Sequence, residues 1–527
     1  MTQRWLEEEE MSDLFQALEN DIAIDRLTYR GLDVWPVVRG LLFNLFWCSP
    51  PGDGIGDHDV RASGLRTALE EFAVRWNARP EPALLARNRL MRHRQRMAEL
   101  DRVAPGSVLF FSAREDNHGR IAGLPYNTIL DPILERAARR WPVSRLELGA
   151  AEPRFHPTQF SDAAPWMLAD LAQEPTFEAD ADVPGLAQLS AALSRRIGVP
   201  VGERAFIDGI WRVWSLHRFF MDVLARLKPR AVFLIGYYQL RGFALAAACR
   251  RMGIPLVNLQ HGMQGRRHGL YTGFHRLPAD GFNTIPDFFW VWGSSFAQVI
   301  ARTPPFGTAV HRPVIGGHPW FSYWADRDAT HLGSEEASAF LERVGRWRQR
   351  ILVSLQPFAP GSAIPAALKE CIREPSGNRF WMIRRHPVMA QSVEEVEAEL
   401  EADGLGNVDV RLSSTLPLPL LLRNANRHVT RYSSTAHEAA AYGIATVSVD
   451  PQAAFYLQDL LDERRCAIAG SPQALRDALD ADGWESAGQA GMEKPPQRIV
   501  FGPELIDGAL DAVMQGRTAK TAAAPLD

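Results

Sequence analysis

Two successive series of short strand-like runs, most of them apolar without alternation and many followed by a helix-like stretch, constrain this chain more than any other feature. The first series holds Val108 to Phe111, 143–149, Ala231 to Gly236, 255–259, Phe288 to Gly293 and Val314 to Gly316. The second starts afresh with Ile351 to Leu355 and continues through Phe380 to Arg384, 408–413, His428 to Thr430 and Thr446 to Val449. Apolar runs of this length that do not alternate predict parallel strands covered on both faces. Intervening stretches such as 131–141, 204–228, 242–253, 363–374, 417–425 and 435–443 carry helical patterns. A chain of 527 residues is also too long for one hydrophobic core. The expected fold class is therefore α/β, with two doubly wound Rossmann-like domains.

The rest of the chain is organised around these series. Residues 1–100 read as a helical N-terminal region, 101–330 as the first Rossmann-like domain, 345–500 as the second, and 501–527 as a terminal helix and tail. The polar turn at 49–59 interrupts the helical start, the Pro- and Ala-rich stretch 150–200 reads as an insertion, and 320–348 reads as a connection without strands. The run Val37 to Trp47 predicts a buried helix, with a helix lying on a membrane surface as the alternative.

Charge and cysteines narrow the class. The 58 Lys and Arg against 62 Asp and Glu leave a net charge of −4, which gives no general attraction to nucleic acid. Cys48, Cys249, Cys371 and Cys466 are far apart and form no paired motif, so a reducing compartment fits. The start MTQRWLEEEEMSD is acidic and lacks the apolar core of a signal peptide, and no stretch approaches the roughly 20 apolar residues of a membrane span. A cytoplasmic protein is expected.

In doubly wound sheets ligands bind at the carboxyl ends of the strands. Three strand-end loops carry chemistry there. Gln260-His261-Gly262 places an imidazole just past a buried strand, able to take a proton near neutral pH or to face a phosphate; the plain alternative is a loop cap. Arg384-Arg385-His386-Pro387 gathers two guanidinium groups and an imidazole before a stiffening proline, a pattern suited to an anion or to an ordinary basic turn. Ser433-Ser434-Thr435 opens a helix with Glu438 one turn in, which fits a phosphate cradle with a ribose contact or a simple N-cap. Glu115 and Asp116, after the first strand, are further acid–base candidates beside the reading as a solvated loop. Arg266, Arg267 and His268 offer local positive charge to an anionic substrate. His318-Pro319 reads as structural, and Trp290, Trp292 and Trp381 as packing.

Taken together, Gln260-His261-Gly262, His386-Pro387, and Ser433-Ser434 with Glu438 resemble the motifs of bacterial inverting GT-B transferases of surface-polysaccharide assembly. These include Kdo and sialic-acid transferases and the CDP-glycerol-dependent teichoic-acid polymerases. The resemblance spans about residues 230–450. It implies a GT-B type fold in which the first domain serves the acceptor and the second binds a nucleotide-sugar. Arg385, His386, Pro387, Ser433, Ser434, Thr435 and Glu438 would then hold the donor. Gln260, Gly262, Arg266 and Arg267 would face substrate. The base would come from the first domain, as His261, Asp116 or Glu115. The sialic-acid enzymes carry an acidic pair followed by glycine; here two residues separate Glu115-Asp116 from Gly119.

The implied partners are a nucleotide-activated donor, in particular a CMP-linked ulosonic acid such as Kdo, and a glycan or lipid-linked acceptor. Peripheral contact with the inner membrane would follow from such an acceptor, and no nucleic acid is expected. No metal and no further cofactor is required, since no DxD-like pair stands out. Three alternatives remain open: a polyol-phosphate transferase using a CDP-polyol, a non-hydrolysing sugar-nucleotide epimerase, and a non-catalytic nucleotide-sugar binding module.

Overall fold

The computed structural model describes residues 8–48, 100–101, 103, 105–113, 119–121, 123–148, 183–198, 200–262, 269–271, 274–278, 280–302, 310–356, 364–374, 378–386, 389, 391–400, 406–481 and 499–520. Glu115, Asp116, Arg266, Arg267, His268 and Pro387 lie outside the described residues, as do the turn at 49–59 and most of the insertion read at 150–200. The chain forms two units. One comprises Met1–Asn117, Ile129–Gly316 and Glu504–Asp527; the other comprises His118–Thr128 and Gly317–Pro503.

The first unit is built on six strands: β1 (Val108–Ala113), β2 (Val143–Leu148), β3 (Ala231–Ile235), β4 (Leu256–Leu259), β5 (Phe288–Val291) and β6 (Arg312–Ile315). They lie in the order β6-β5-β4-β3-β1-β2, every neighbouring pair parallel. The apolar runs dictate this. Phe110 stacks on Phe233 at 5.2 Å, and Trp290 is fully buried. Each such aromatic contributes about 1.5–3 kcal/mol on leaving water. The long helix Arg204–Leu227 buries Phe206, Ile210, Val213, Phe219, Val223 and Leu227 along one stripe, the 3.6-residue pattern expected of it.

The N-terminal helices belong to this unit. Glu8–Asp21 and Trp35–Cys48 are joined through a small hairpin pairing Thr28–Tyr29 with Leu32–Asp33. Its two turn residues, Arg30 and Gly31, both have positive φ (49° and 84°), the geometry that matches the twist of a two-residue hairpin. Asp33 and Asn283 exchange hydrogen bonds, Asp33 N donating to Asn283 Oδ1 at 3.0 Å and Asn283 N to Asp33 Oδ2 at 2.6 Å. In the second helix Val37, Val38, Leu41, Leu42 and Phe43 are buried, so this part of the run is core. Among the described residues no helix is long and apolar enough to cross a membrane. The last helix, Pro503–Lys520, is fastened to the helix Asp131–Ala138 and the turn after it by Arg136–Asp507 and Arg140–Asp511 ion pairs.

The second unit has its own six strands: β7 (Gln349–Ser354), β8 (Arg379–Arg384), β9 (Val408–Asp409), β10 (Arg427–Thr430), β11 (Thr446–Ser448) and β12 (Cys466–Ile468). Their order is β9-β8-β7-β10-β11-β12, again all parallel. Numbered within the unit this is 3-2-1-4-5-6, the Rossmann order.

The segment 320–348, expected as a connection, packs within this unit. Trp320, Phe321 and Trp324 of the helix Pro319–Trp324 are buried, and the helix Glu335–Gly345 adds Phe340, Leu341 and Val344. The stretch 408–413 was expected as a strand. It pairs over two residues only, because the Asp409 carboxylate accepts from Ser413 N at 2.7 Å and Ser413 Oγ at 2.6 Å and starts the helix Arg411–Thr415. A hairpin of Gly119–Ile121 with Leu124–Tyr126 also belongs to this unit, Tyr126 lying 5.4 Å from Trp320 and 5.3 Å from Tyr323.

Candidate functional site

In the second sheet the connections diverge between β7 and β10, and the crevice rule points to their carboxyl ends. Strand registers define what stands there. Arg384, Ser354, Thr430 and Ser448 form one cross-strand row at the ends of β8, β7, β10 and β11. One pleat earlier on the same face run Met382, Leu352, His428 and Thr446. The opposite face is different: Ile383, Val353, Val429 and Val447, with Trp381 and Ile351 behind them, are part of an apolar core. One side of the sheet is thus oil-like, and the other turns polar as it reaches the carboxyl edge.

The polar side is tightly bonded. His428 is fully buried, with Nδ1 3.0 Å from Thr446 Oγ1 and Nε2 3.0 Å from Ser354 Oγ. Burial pushes its imidazole down to about 3, so the ring is neutral at physiological pH and spans three strands as a hydrogen-bonded rung. Thr430 Oγ1 donates to Ser354 O at 2.8 Å, and Tyr432 N donates to Gln356 Oε1 at 3.1 Å, joining the two loops at the divergence point.

The two candidate loops of this unit leave this edge. Two strand spacings, about 10 Å, separate the end of β8 from that of β10. Arg384 Nη1 donates to Ser413 O at 2.9 Å and Leu416 O at 2.7 Å; burial pulls its guanidinium down to about 10, and the Glu438 carboxylate opposes that fall. Arg385 N donates to Ser414 Oγ at 3.1 Å, while its guanidinium folds back so that Nη2 donates to Met389 O at 3.1 Å. His386 is half-buried, and its carbonyl accepts from Met389 N at 3.0 Å. This tight turn after β8 leaves the imidazole on the loop beside Arg385.

Ser433 and Ser434 differ from each other. The Ser433 hydroxyl accepts from Thr435 N at 3.3 Å and lies 3.2 Å from Thr435 Oγ1. Ser434 occupies the N-cap position of the helix Thr435–Ala441, yet its side chain makes no capping bond and is exposed. Glu438 is half-buried, with Oε1 3.5 Å from His318 Nε2. Burial pushes the nearby Tyr442 phenol up to about 12, the Arg423 charge opposing and Glu438 reinforcing. His318 is structural, as expected: its N donates to Val500 O at 2.8 Å, its carbonyl accepts from Ser322 Oγ, and its ring stacks on Phe321 at 4.2 Å. The structure adds that it faces Glu438.

In the first unit the order β6-β5-β4-β3-β1-β2 diverges between β1 and β3. The segment holding Glu115 and Asp116 follows β1 directly. Gln260-His261-Gly262 follows β4. Gln260 is fully buried: Oε1 accepts from Trp292 N at 2.8 Å, Nε2 donates to Gly262 O at 3.0 Å, and its carbonyl accepts from Trp292 Nε1 at 3.1 Å. Its place is that of a strut under the loop. His261 is exposed at the same carboxyl edge, with Nε2 3.1 Å from Tyr238 Oη and Nδ1 3.4 Å from Leu259 O.

The chain beyond this loop is held from the N-terminal helices. Glu19 and Arg39 form a fully buried pair at 3.0 Å. Glu19 Oε1 also accepts from Trp35 Nε1 at 2.8 Å, and Oε2 accepts from His275 N at 2.5 Å and Arg276 N at 3.2 Å. Arg39 donates to Gly269 O and lies 3.7 Å from the Phe274 ring centroid.

Sequence reasoning missed Ser354, Gln356, His428 and Tyr238 as parts of these edges. One signal was available: each apolar run of the second series that reaches the polar row carries a polar residue at its end or one place before it, at Ser354, Arg384, Thr430 and Ser448.

No protein-family model matches the chain, and no curated protein sequence matches it. Among solved structures the chain is similar to UDP-GlcNAc 2-epimerase from Neisseria meningitidis bound to UDP-GlcNAc, at 10% identity and a TM-score of 0.46, covering 78% of this chain and 100% of that one. It is similar to UDP-GlcNAc 2-epimerase from Methanocaldococcus jannaschii at 10% identity and a TM-score of 0.43, covering 78% and 99%. It is also similar to the wall teichoic acid polymerase TagF at 11% identity and a TM-score of 0.43, covering 83% of this chain and 99% of that chain.

Proposed function

We propose that this chain is a metal-independent, inverting transferase of the GT-B type. It would move a sugar, in particular an ulosonic acid, from a nucleotide-activated donor to a cell-surface glycan acceptor. One observation carries the reading. At the divergence point of a 3-2-1-4-5-6 sheet, the Ser433-Ser434-Thr435 loop and the Arg385-His386 turn leave the same edge, with Glu438 one helical turn in and within electrostatic reach of Arg384. That is where a doubly wound sheet binds a nucleotide.

In this scheme the acceptor oxygen forms the new bond to the anomeric carbon as the bond to the donor phosphate breaks. The phosphate leaves with the electron pair, and the acceptor proton passes to a base. His386, with the amide groups and hydroxyls at Ser433 to Thr435, would stabilise the charge growing on the phosphate. Glu438 would accept from the ribose hydroxyls. His261 is the preferred base, since it is exposed at a strand end and held by a phenol. Glu115 and Asp116 remain the acidic candidates.

The test is incubation with CMP-, CDP- and UDP-linked donors, with and without glycan acceptors, following free nucleotide and sugar configuration. Acceptor-dependent nucleotide release with inversion is expected. A change of sugar configuration without release makes the protein an epimerase. Release only from a CDP-polyol, with a new phosphodiester, makes it a polyol-phosphate transferase. Tight binding without turnover makes it a binding module.

A further inference from the structure

His261 is held by more than its own loop. Its Nδ1 lies 3.4 Å from the Leu259 carbonyl and its Nε2 3.1 Å from Tyr238 Oη. A carbonyl oxygen only accepts, so in the neutral ring Nδ1 carries the proton and Nε2 keeps its lone pair. The Tyr238 hydroxyl then donates to Nε2.

Tyr238 is itself boxed in. It meets Tyr237 at 5.8 Å, Tyr271 at 5.9 Å and Phe43 at 6.2 Å, all edge-on. Tyr271 Oη accepts from Asn258 Nδ2 at 3.3 Å, and Asn258 Oδ1 accepts from Tyr237 N at 3.1 Å. The backbone around Tyr271 hangs on three buried groups. Tyr237 Oη donates to Leu270 O, Arg39 donates to Gly269 O, and Glu19 accepts from His275 N and Arg276 N. A continuous set of contacts thus runs from the N-terminal helices to the imidazole at the end of β4.

We propose that Tyr238 is a positioning residue for His261: its hydroxyl holds the ring in the orientation in which the Leu259 carbonyl keeps the proton on Nδ1, leaving Nε2 as the proton acceptor. The N-terminal helices, through Phe43 and the Glu19–Arg39 pair, are the frame that keeps Tyr238 in place. The inference rests on the reading of His261 as the base. An arriving acceptor hydroxyl takes the place of the Tyr238 hydroxyl at Nε2 and passes its proton there, while Nδ1 keeps its own proton, donated to the Leu259 carbonyl, throughout. Without the phenol the ring is free to turn and to change tautomer.

The experiment uses the full chain labelled with 15N-histidine and two-bond proton–nitrogen correlation, with the His261 signals identified by their loss in His261→Gln. The expected result is the Nδ1–H tautomer in the wild type and a mixture rich in Nε2–H in Tyr238→Phe, which keeps the ring. In donor turnover Tyr238→Phe should lose about tenfold in kcat with the donor KM unchanged. An Nε2–H tautomer in the wild type, the same pattern in both proteins, or an unchanged kcat overturns the proposal. An Nε2–H tautomer in the wild type overturns the proposal even if Tyr238→Phe fails to fold. Failure of the proposed function is separate: a wild type that turns over no donor leaves the tautomer result standing, and an overturned tautomer leaves the transferase reading intact.

Discussion

In the first unit the carboxyl edge of the sheet is propped from outside: His261 and the chain beyond it lean on Tyr238, Tyr271 and a fully buried Glu19–Arg39 pair supplied by N-terminal helices. In the second unit the strands themselves carry the polar groups. Arg384, Ser354, Thr430 and Ser448 end four neighbouring strands, and the neutral ring of His428 ties three strands together beneath them. Two parallel six-stranded sheets can therefore carry different chemistry along their carboxyl edges. One presents an exposed imidazole fit for proton transfer, the other a basic and hydroxyl-rich edge fit for an anion.

The largest expected effect tests the external prop. Arg39→Met strands the Glu19 carboxylate in a dry core and should cost about 3–5 kcal/mol in urea unfolding. Arg384→Met leaves no buried partner charge fully enclosed and should cost less, about 2 kcal/mol for its lost carbonyl bonds. Equal losses would erase the distinction between the two edges.

The second unit should carry a strong pH signature, and burial of His217 adds one of the same sign in the first unit. The His428 pKa falls from 6.5 unfolded to about 3 folded, so the unfolded state binds the extra proton between those values. The contribution is fully present above pH 6.5 and is lost as pH falls toward 3, at up to about 1.4 kcal/mol per pH unit. His428→Asn should flatten this slope in denaturation curves collected from pH 7 to 4.

Packing around the strand ends differs too. Gly316 follows β6 against the Trp290 indole, where an added Cβ would collide with the ring; Gly470 follows β12 facing open space. Gly316→Ala should cost about 1–3 kcal/mol and Gly470→Ala should be neutral or stabilise by about 0.5 kcal/mol, both read from thermal or urea midpoints. Smallest of all is the fastening of the last helix: Arg136→Ala, breaking a partly exposed pair with Asp507, should cost about 0.5 kcal/mol and less in high salt.

Much of the frame was legible in the sequence because parallel strands buried on both faces leave continuous apolar runs, as Val108 to Phe111 and Ile351 to Leu355 do. The strand-end loops at His261, His386 and Ser433 were legible for the same reason, since each follows such a run. What was hidden depends on partners distant in sequence. Gln260 reads as a substrate contact until its amide is seen bonded to Trp292, 32 residues on. Glu19 reads as part of an acidic helix until it meets backbone more than 250 residues away. The strand Cys466–Ile468 is three residues long beside the charged run 462–465, too short for a periodic signal. The helix Arg411–Thr415 stands where a longer strand was expected; the Asp409 carboxylate just before it accepts from Ser413 N and Oγ, an effect that hydropathy does not register.

The account depends on the second unit holding a nucleotide phosphate at the edge where His386 and Ser434 stand. Titration calorimetry of wild type and His386→Ala with cytidine and uridine mono- and diphosphates tests this directly. The expected result is saturable binding of at least one nucleotide, weakened about 10- to 100-fold in the variant, as befits loss of a hydrogen bond to a charged group. Equal affinity in both proteins, or binding of none of these nucleotides by the wild type, would contradict it.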